Sequence, residues 1–309
     1  GIYRNAIGNA NAYIISLNGS STTTLKVQTI TGVPDRCYGK TTLDCVGYGA
    51  NEKEHEFIYV PIKGPDGRVW FSNNLGAEYA KVGSPWFTPA YQAGALLYLH
   101  TTSATPLSNP TADQIKKDWR AYGSLFQWQR NPDGHELINW SNTTSSTPKY
   151  GTTTTLSNSW TNPNTNVFII GNASSSYYSW VNGLLDSSGP YNLWQSGQSN
   201  NPCPVGYHVP THTEQMALHN AILGYDTGTS STSSNNMWNE TGLRLSASGY
   251  RSATIAMLSG QSTNSSLWSS ELSSSNNYYS WHLWFVSGNS NAASGSTRAN
   301  SYNVRCIKD

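Results

Sequence analysis

The chain has 309 residues, of which 11% are charged, and a formal net charge of +1. It holds no cluster of Lys and Arg able to neutralise a phosphate backbone, so composition excludes a nucleic-acid binder working through a basic face. No run approaches the roughly 18 apolar residues of a membrane-spanning helix, which excludes direct insertion of that kind.

The first residues, GIYRNAIGNANAYIISL, lack the basic start and long apolar core of a signal peptide. Residues 1–50 mix the short β-prone runs AYIISL and LKVQTI with a loop from Cys37 to Cys45, and read as an appended strand-rich segment. Residues 51–309 read as the main domain. It opens with EFIYVPI and GPDGRVWFSNNL, two strands around the turn signal Pro65-Asp66-Gly67, hence a hairpin. Weak helical signals come next in TPAYQAGALLYLH (88–100) and TADQIKKDWRAYGSLFQWQR (111–130); in the second, Thr111 and Gln114 form a capping box and Gly123 is a stop.

A Ser/Thr/Asn/Gly-rich insertion occupies about 138–200, punctuated by Trp160, Trp180 and Trp194. Aromatic rings at such spacing pin an irregular coil to a core, so a long anchored loop region is expected rather than disorder. PTHTEQMALHNAILG (210–224) has the strongest helix signature: Thr211 caps, Glu214 completes the box, Met216, Ala217, Ile222 and Leu223 supply an apolar stripe, and Gly224 ends it. Strands return afterwards. In SWHLWF, alternation sends Trp281, Leu283 and Phe285 to one face and Ser280, His282 and Trp284 to the other.

The four cysteines, Cys37, Cys45, Cys203 and Cys306, contain no C-x-x-C pair, which argues against a zinc ribbon or a thioredoxin-like centre. Cys37 with Cys45 can close a small loop, and Cys203 with Cys306 can clamp the ends of a long one. The low charge and abundant Ser, Thr and Asn suit an extracellular surface and favour disulfides over the alternative of free buried thiols. His208, His212 and His219 lie near Glu214, but Pro210 interrupts any helix joining the first two and H-E-x-x-H is absent, so histidines on the surface around a helix start are expected and no metal site. DGHE (133–136) offers an acid and a histidine, but Pro132-Asp133-Gly134 reads first as a turn. Neither G-x-S-x-G nor a phosphate-cradling glycine loop occurs. No catalytic residue and no cofactor is expected.

Tyr and Trp are unusually favoured over Phe: 19 and 12 against 6. Together with Ser, Gly and Asn they are the palette of adaptable contact loops, in which rigid rings supply area and small polar residues supply hydrogen bonds. That palette is densest in WSSELSSSNNYYSWHLWFVSGNSN, running from Trp268 to Asn291.

NPCPVGYHVPTHTEQ (201–215), SGYRSATIAMLSG (248–260), LWSSE (267–271) and NVRCIKD (303–309), together with GRVWFSNNL and YGSLFQWQRNPDGHE upstream, resemble in order the Fibrobacter succinogenes major paralogous domain. TIAML and NSY depart from the runs TGAL and GFS common at those places. The resemblance implies an α+β protein of C-type lectin fold, in the variant also used by formylglycine-generating enzymes, with long irregular insertions. It further implies the role that many such domains serve, as the variable protein of a diversity-generating retroelement, with a variable region at about 250–309. In such a region, adenines in Asn codons are rewritten to give residues such as Ser, Tyr, Asp or His. Trp284 is not reachable from an AAC or AAT codon.

The implied protein is a ligand-binding receptor or adhesin, not an enzyme, displayed on a virion surface such as a tail-fibre tip or on an extracellular cell surface. Its expected partner is a protein or glycan on a host or neighbouring cell. The alternative is a non-diversifying cell-surface domain of the same family with a fixed polysaccharide or protein ligand. The expected ligand-binding positions are Gln261, Asn264, Tyr278, Tyr279, His282, Trp284, Asn289, Asn291, Asn300 and Ser301, all exposed on one surface. Trp268, Trp281, Leu283 and Phe285 are the expected buried scaffold beneath them.

Overall fold

The computed structural model describes residues 2–5, 12–19, 25–87, 97–98, 106–107, 110–171, 178–226, 230–231, 235–240, 242–274 and 278–309. Among them the chain is α+β, with many short strands and few helices, of which His212–Leu223 is the longest at 12 residues. No described helix is long and apolar enough to cross a membrane.

Ile2–Asn5, Ala12–Gly19 and Leu25–Pro34 form an antiparallel sheet whose last strand pairs with Ile58–Tyr59, so the N-terminal segment is hydrogen-bonded to the start of the main domain. The predicted hairpin is present as Pro61–Lys63 against Val69–Phe71, with Gly67 in the left-handed region at φ 80° as its turn requires. Its second strand also receives the C-terminal strand Ile307–Lys308, through Ile307 opposite Trp70, and that strand pairs with Tyr207–His208. Residues almost at opposite ends of the sequence therefore share one sheet. Cys203 and Cys306 are disulfide-bonded, Cys306 directly preceding the inner strand Ile307–Lys308, and Cys37 with Cys45 close the small loop near the N-terminus.

The helix signals are met unevenly. Thr111 and Gln114 form the capping box, but Ala112–Lys117 lasts only 6 residues before a tighter 3-10 turn at Trp119–Ala121. Of 88–100, only Leu97–Tyr98 lies among the described residues, and it is a strand paired with Pro106–Leu107 rather than part of a helix. His212–Leu223 has the predicted cap, box and left-handed Gly224. Its buried face differs: Gln215, Leu218, His219 and Leu223 point inward, while Met216 and Ile222 are only partly covered. Two polar residues are tolerated there because each is paired. Gln215 Nε2 donates to the carbonyls of Leu267 and Trp268 at 2.8 and 2.9 Å, and His219 Nε2 meets Ser290 Oγ at 2.8 Å. His219 is thus a core residue, not a surface one.

The irregular stretch from Ile138 to Asn200 is pinned as its composition suggests. Trp160, Trp180 and Trp194 are buried, and the indole N–H groups of the last two donate to the carbonyls of Trp128 and Arg130. Burying a ring while satisfying its one donor is how a coil without ladder hydrogen bonds is fixed to a core.

Candidate ligand-binding face

The site candidates ride on a sheet in which Ser265–Leu272, Tyr279–Val286 and Asn289–Thr297 are successive antiparallel neighbours. One face is closed by the helix His212–Leu223 and by Trp238, whose ring meets Phe285 at 4.7 Å. Leu283 and Phe285 are buried there, as the alternation requires, and Trp268 is buried on the opposite side. Trp281 departs from the expected scaffold: it is only partly buried, lying 4.6 Å from the ring of His212 at the start of that helix.

The opposite face carries His282 and Trp284, and here two positions are corrected. His282 is 4% exposed and Ser301 is 0% exposed, so neither can meet a ligand directly. Over His282 lies a second layer of rings: Tyr302 stacks on it at 4.7 Å, and Trp268 packs against Tyr302 at 4.5 Å; Ser301 sits in an inner strand between Arg251 and Gln127. Strand alternation fixes the side to which a residue points, but not whether that side is covered. Among the described residues no carboxylate pairs with the His282 imidazole, and its Nδ1 has no hydrogen-bond partner, so burial holds its pKa down to about 3.

That shift carries a sign. An unfolded histidine titrates near 6.5, so the unfolded chain takes up this proton first as pH falls. The stability due to neutral His282 is complete above about pH 6.5 and is lost progressively as pH falls towards 3. His282→Phe should therefore flatten the dependence of unfolding free energy on pH between 6 and 4, by up to about 1.4 kcal/mol per pH unit. Urea melts across that range check this; superimposable slopes for the two proteins would show that His282 does not titrate as its burial demands.

The remaining candidates lie in a band along and beside the hairpin that uses both of its faces: alternation places Tyr279 on the side of Trp281 and Trp284 on the side of His282. Trp284 lies opposite Ser266 on one side and Asn291 on the other, so Trp284 and Asn291 share a face across adjacent strands. Gln261 and Asn264 sit in the turn that the Asn264 carbonyl ties to the Gly249 amide, beside Tyr250. Asn300 is partly spent on the scaffold, accepting from the Ala253 amide at 2.8 Å and donating to Ser296 and Tyr302. Tyr279 pairs with Thr297 at the open end of the hairpin and Asn289 with Val286 at its turn, about 24 Å apart at the usual strand rise. Tyr278 and Tyr279 are half-buried and Asn289 is exposed.

Two exposed residues were not foreseen as site members. Ile255 and Met257, in the tight turn between Tyr250–Arg251 and Leu258–Ser259, are 62% and 63% exposed. The sequence carries a signal there, since TIAML is one of the runs that departs from the domain it is read as resembling. Its neighbours across a shallow groove, Lys149 and Tyr150, come from a remote loop and carry no such signal.

Asp133, His135 and Glu136 bring three potential metal-ligand atoms within 4.8 Å of one another. Each is already committed. His135 Nε2 accepts from the Gln127 amide at 3.0 Å, which leaves its proton on Nδ1, donated to Asp133 at 2.7 Å. Burial and then the neighbouring Arg130 charge keep this imidazole neutral by lowering its pKa. Glu136 bonds His55 at 2.7 Å and the Gly134 amide at 3.0 Å. The predicted turn is present, with the Leu137 amide donating to the Gly134 carbonyl at 3.1 Å, and its side chains, essentially sealed from solvent, form an internal polar network with Tyr48 and His55.

No family model, no curated protein and no solved structure matches this chain.

Proposed function

We propose that the chain is a binding protein of the C-type lectin kind, the variable protein of a diversity-generating retroelement, which presents the hairpin band to a protein or glycan on a host or neighbouring cell surface. The observation that carries this reading is how burial divides the C-terminal region. Arg251, Trp268, Ser269, Ser270, Val304, Arg305 and Cys306, from the runs that bear the family resemblance, are buried. Between them, Gln261, Asn264, Tyr278, Tyr279, Trp284, Asn289 and Asn291 are exposed or half-exposed. Such a division lets side chains at the band change while the framework persists.

Two measurements test the proposal. Sequencing around the gene should reveal a near-copy of the segment encoding 250–309 that differs at adenines; a neighbourhood without one removes the retroelement and leaves the fixed-ligand alternative. Simultaneous replacement of Asn264, Tyr278, Trp284, Asn289 and Asn291 by serine should change or abolish cell-surface binding. Each substitution away from core packing costs within about 0.5 kcal/mol, so the melting temperature should move by only a few degrees. Unfolding of this variant would assign those side chains to the scaffold instead.

A further inference from the structure

An open groove of about 550 Å³ runs beside the band, between the loop carrying Pro148–Tyr150 and the tight turn carrying Met257. Arg251 and Gln261 line it from below. Arg251 is 3% exposed, yet its guanidinium makes a single protein hydrogen bond, from Nε to the Ala256 carbonyl at 2.9 Å. Its flat face lies over the Phe168 ring at 4.3 Å, while Nη1 has no partner, and neither does the nearby Gln261 Nε2. Among the described residues, no carboxylate pairs with Arg251 and none lines the groove. The other cation on the wall, Lys149, is already held by Glu52 and Glu54 at 3.0 and 2.9 Å.

A buried guanidinium without an acidic partner is costly. Arg130 pairs with Asp133 and Arg298 with Asp186, and Arg305, which pairs with no carboxylate among the described residues, donates instead to Asn74 Oδ1 and the Phe71 and Leu243 carbonyls, whereas Arg251 has one carbonyl alone. Burial has already lowered the pKa of Arg251 to about 10, and the Arg130 charge adds to the same trend. Arg251 and Gln261 line one groove, each with a buried donor that has no partner, and a guanidinium fork fits the two oxygens of a carboxylate. The walls add hydroxyl groups from Thr144 and Thr147, the ring of Tyr150, whose hydroxyl is held by Glu54, and an apolar edge from Met257. That mixture suits a pyranose ring, which offers hydroxyls around its rim and C–H groups on its face.

We propose that this groove binds an acidic sugar, a uronic or sialic acid residue at the end of a glycan, with its carboxylate on Arg251 and Gln261. The site is separate from the diversified band except at Gln261, so it stands whether or not the band is the variable surface.

Calorimetric titration of the folded protein with short oligosaccharides ending in glucuronate or in N-acetylneuraminate decides between the two acid sources. A glucose-terminated counterpart of the first and a Glu-rich peptide serve as contrasts. At least one acid sugar should bind, and the neutral counterpart or Arg251→Gln should each weaken that binding tenfold or more. Gln261→Ala should weaken it severalfold, while Tyr278→Ala and Asn291→Ala, which disable the band, should leave it unchanged. Should Arg251→Gln melt prematurely, the acid-against-neutral comparison on the unaltered protein together with Gln261→Ala carries the decision. Equal binding of acid and neutral sugars, binding of the peptide alone, or no binding of either acid sugar would overturn the proposal.

Discussion

Replacing Cys203 and Cys306 together by alanine should lower the unfolding free energy by about 4 to 5 kcal/mol, the cost of releasing a long loop in the unfolded chain. The bond spans 103 residues, which contain the helix His212–Leu223, the long hairpin and the strand Ser265–Leu272. It therefore holds both borders of the candidate binding region together. Cys37 and Cys45 are only 8 residues apart, and the same relation gives about 2.5 kcal/mol for their removal. Urea denaturation of the two double variants tests the ratio directly. Equal losses would mean that packing around the sulfurs, rather than chain entropy, sets the effect, and four free thiols in the intact mass of the unreduced protein would remove the premise. A molecule displayed outside a cell gains from this arrangement, because the bond persists where thiols are oxidised.

Much of the scaffold was legible from local chemistry. Thr211, Glu214 and Gly224 fix the ends of the long helix by hydrogen bonds made within a few residues, and the Pro-Asp-Gly turn likewise determines its own hairpin. Trp160, Trp180 and Trp194 announced an anchored coil because no unfolded segment keeps such rings in water at little cost.

The hidden features depend on which remote segments meet. Alternation gives His282 a side, whereas its burial is decided by Tyr302 and Trp268 packing over that side; Ser301, expected in a polar loop, is in an inner strand paired with Arg251 and Gln127. Gln215 and His219 break the apolar stripe of the long helix, yet both are buried, since their partners Leu267, Trp268 and Ser290 lie more than 50 residues away. The groove at Arg251 is likewise invisible in sequence, being formed by a loop about 100 residues upstream of the turn it faces.

Long-range pairing also decides the role of the residues around Asp133, and it sets the second large expected effect. Asp133→Ala should cost about 3 to 5 kcal/mol, the usual penalty for leaving a buried charge without its partner. The Asp133 carboxylate accepts from Arg130 Nε at 2.7 Å, Tyr48 Oη at 2.9 Å, His135 Nδ1 at 2.7 Å and the His135 amide at 3.1 Å. Burial opposes its charge, but Arg130 and then His135 outweigh burial and hold its pKa down to about 2. Because the folded value is depressed below the usual 3.9 or so, the stabilisation is complete at neutral pH and is lost only as pH falls from about 4 through about 2. Removing the carboxylate strands the Arg130 guanidinium at 0% exposure, with Gln127 Oε1 and the Thr165 carbonyl left to accept from it. The double variant Arg130→Met/Asp133→Leu removes both charges, and buried pairs replaced by apolar residues of similar size often lose little stability. It should therefore recover most of the stability that Asp133→Ala loses. Denaturant melts of the single and double variants at pH 7 measure that coupling, and additive losses would show that Asp133 acts through packing rather than by neutralising Arg130.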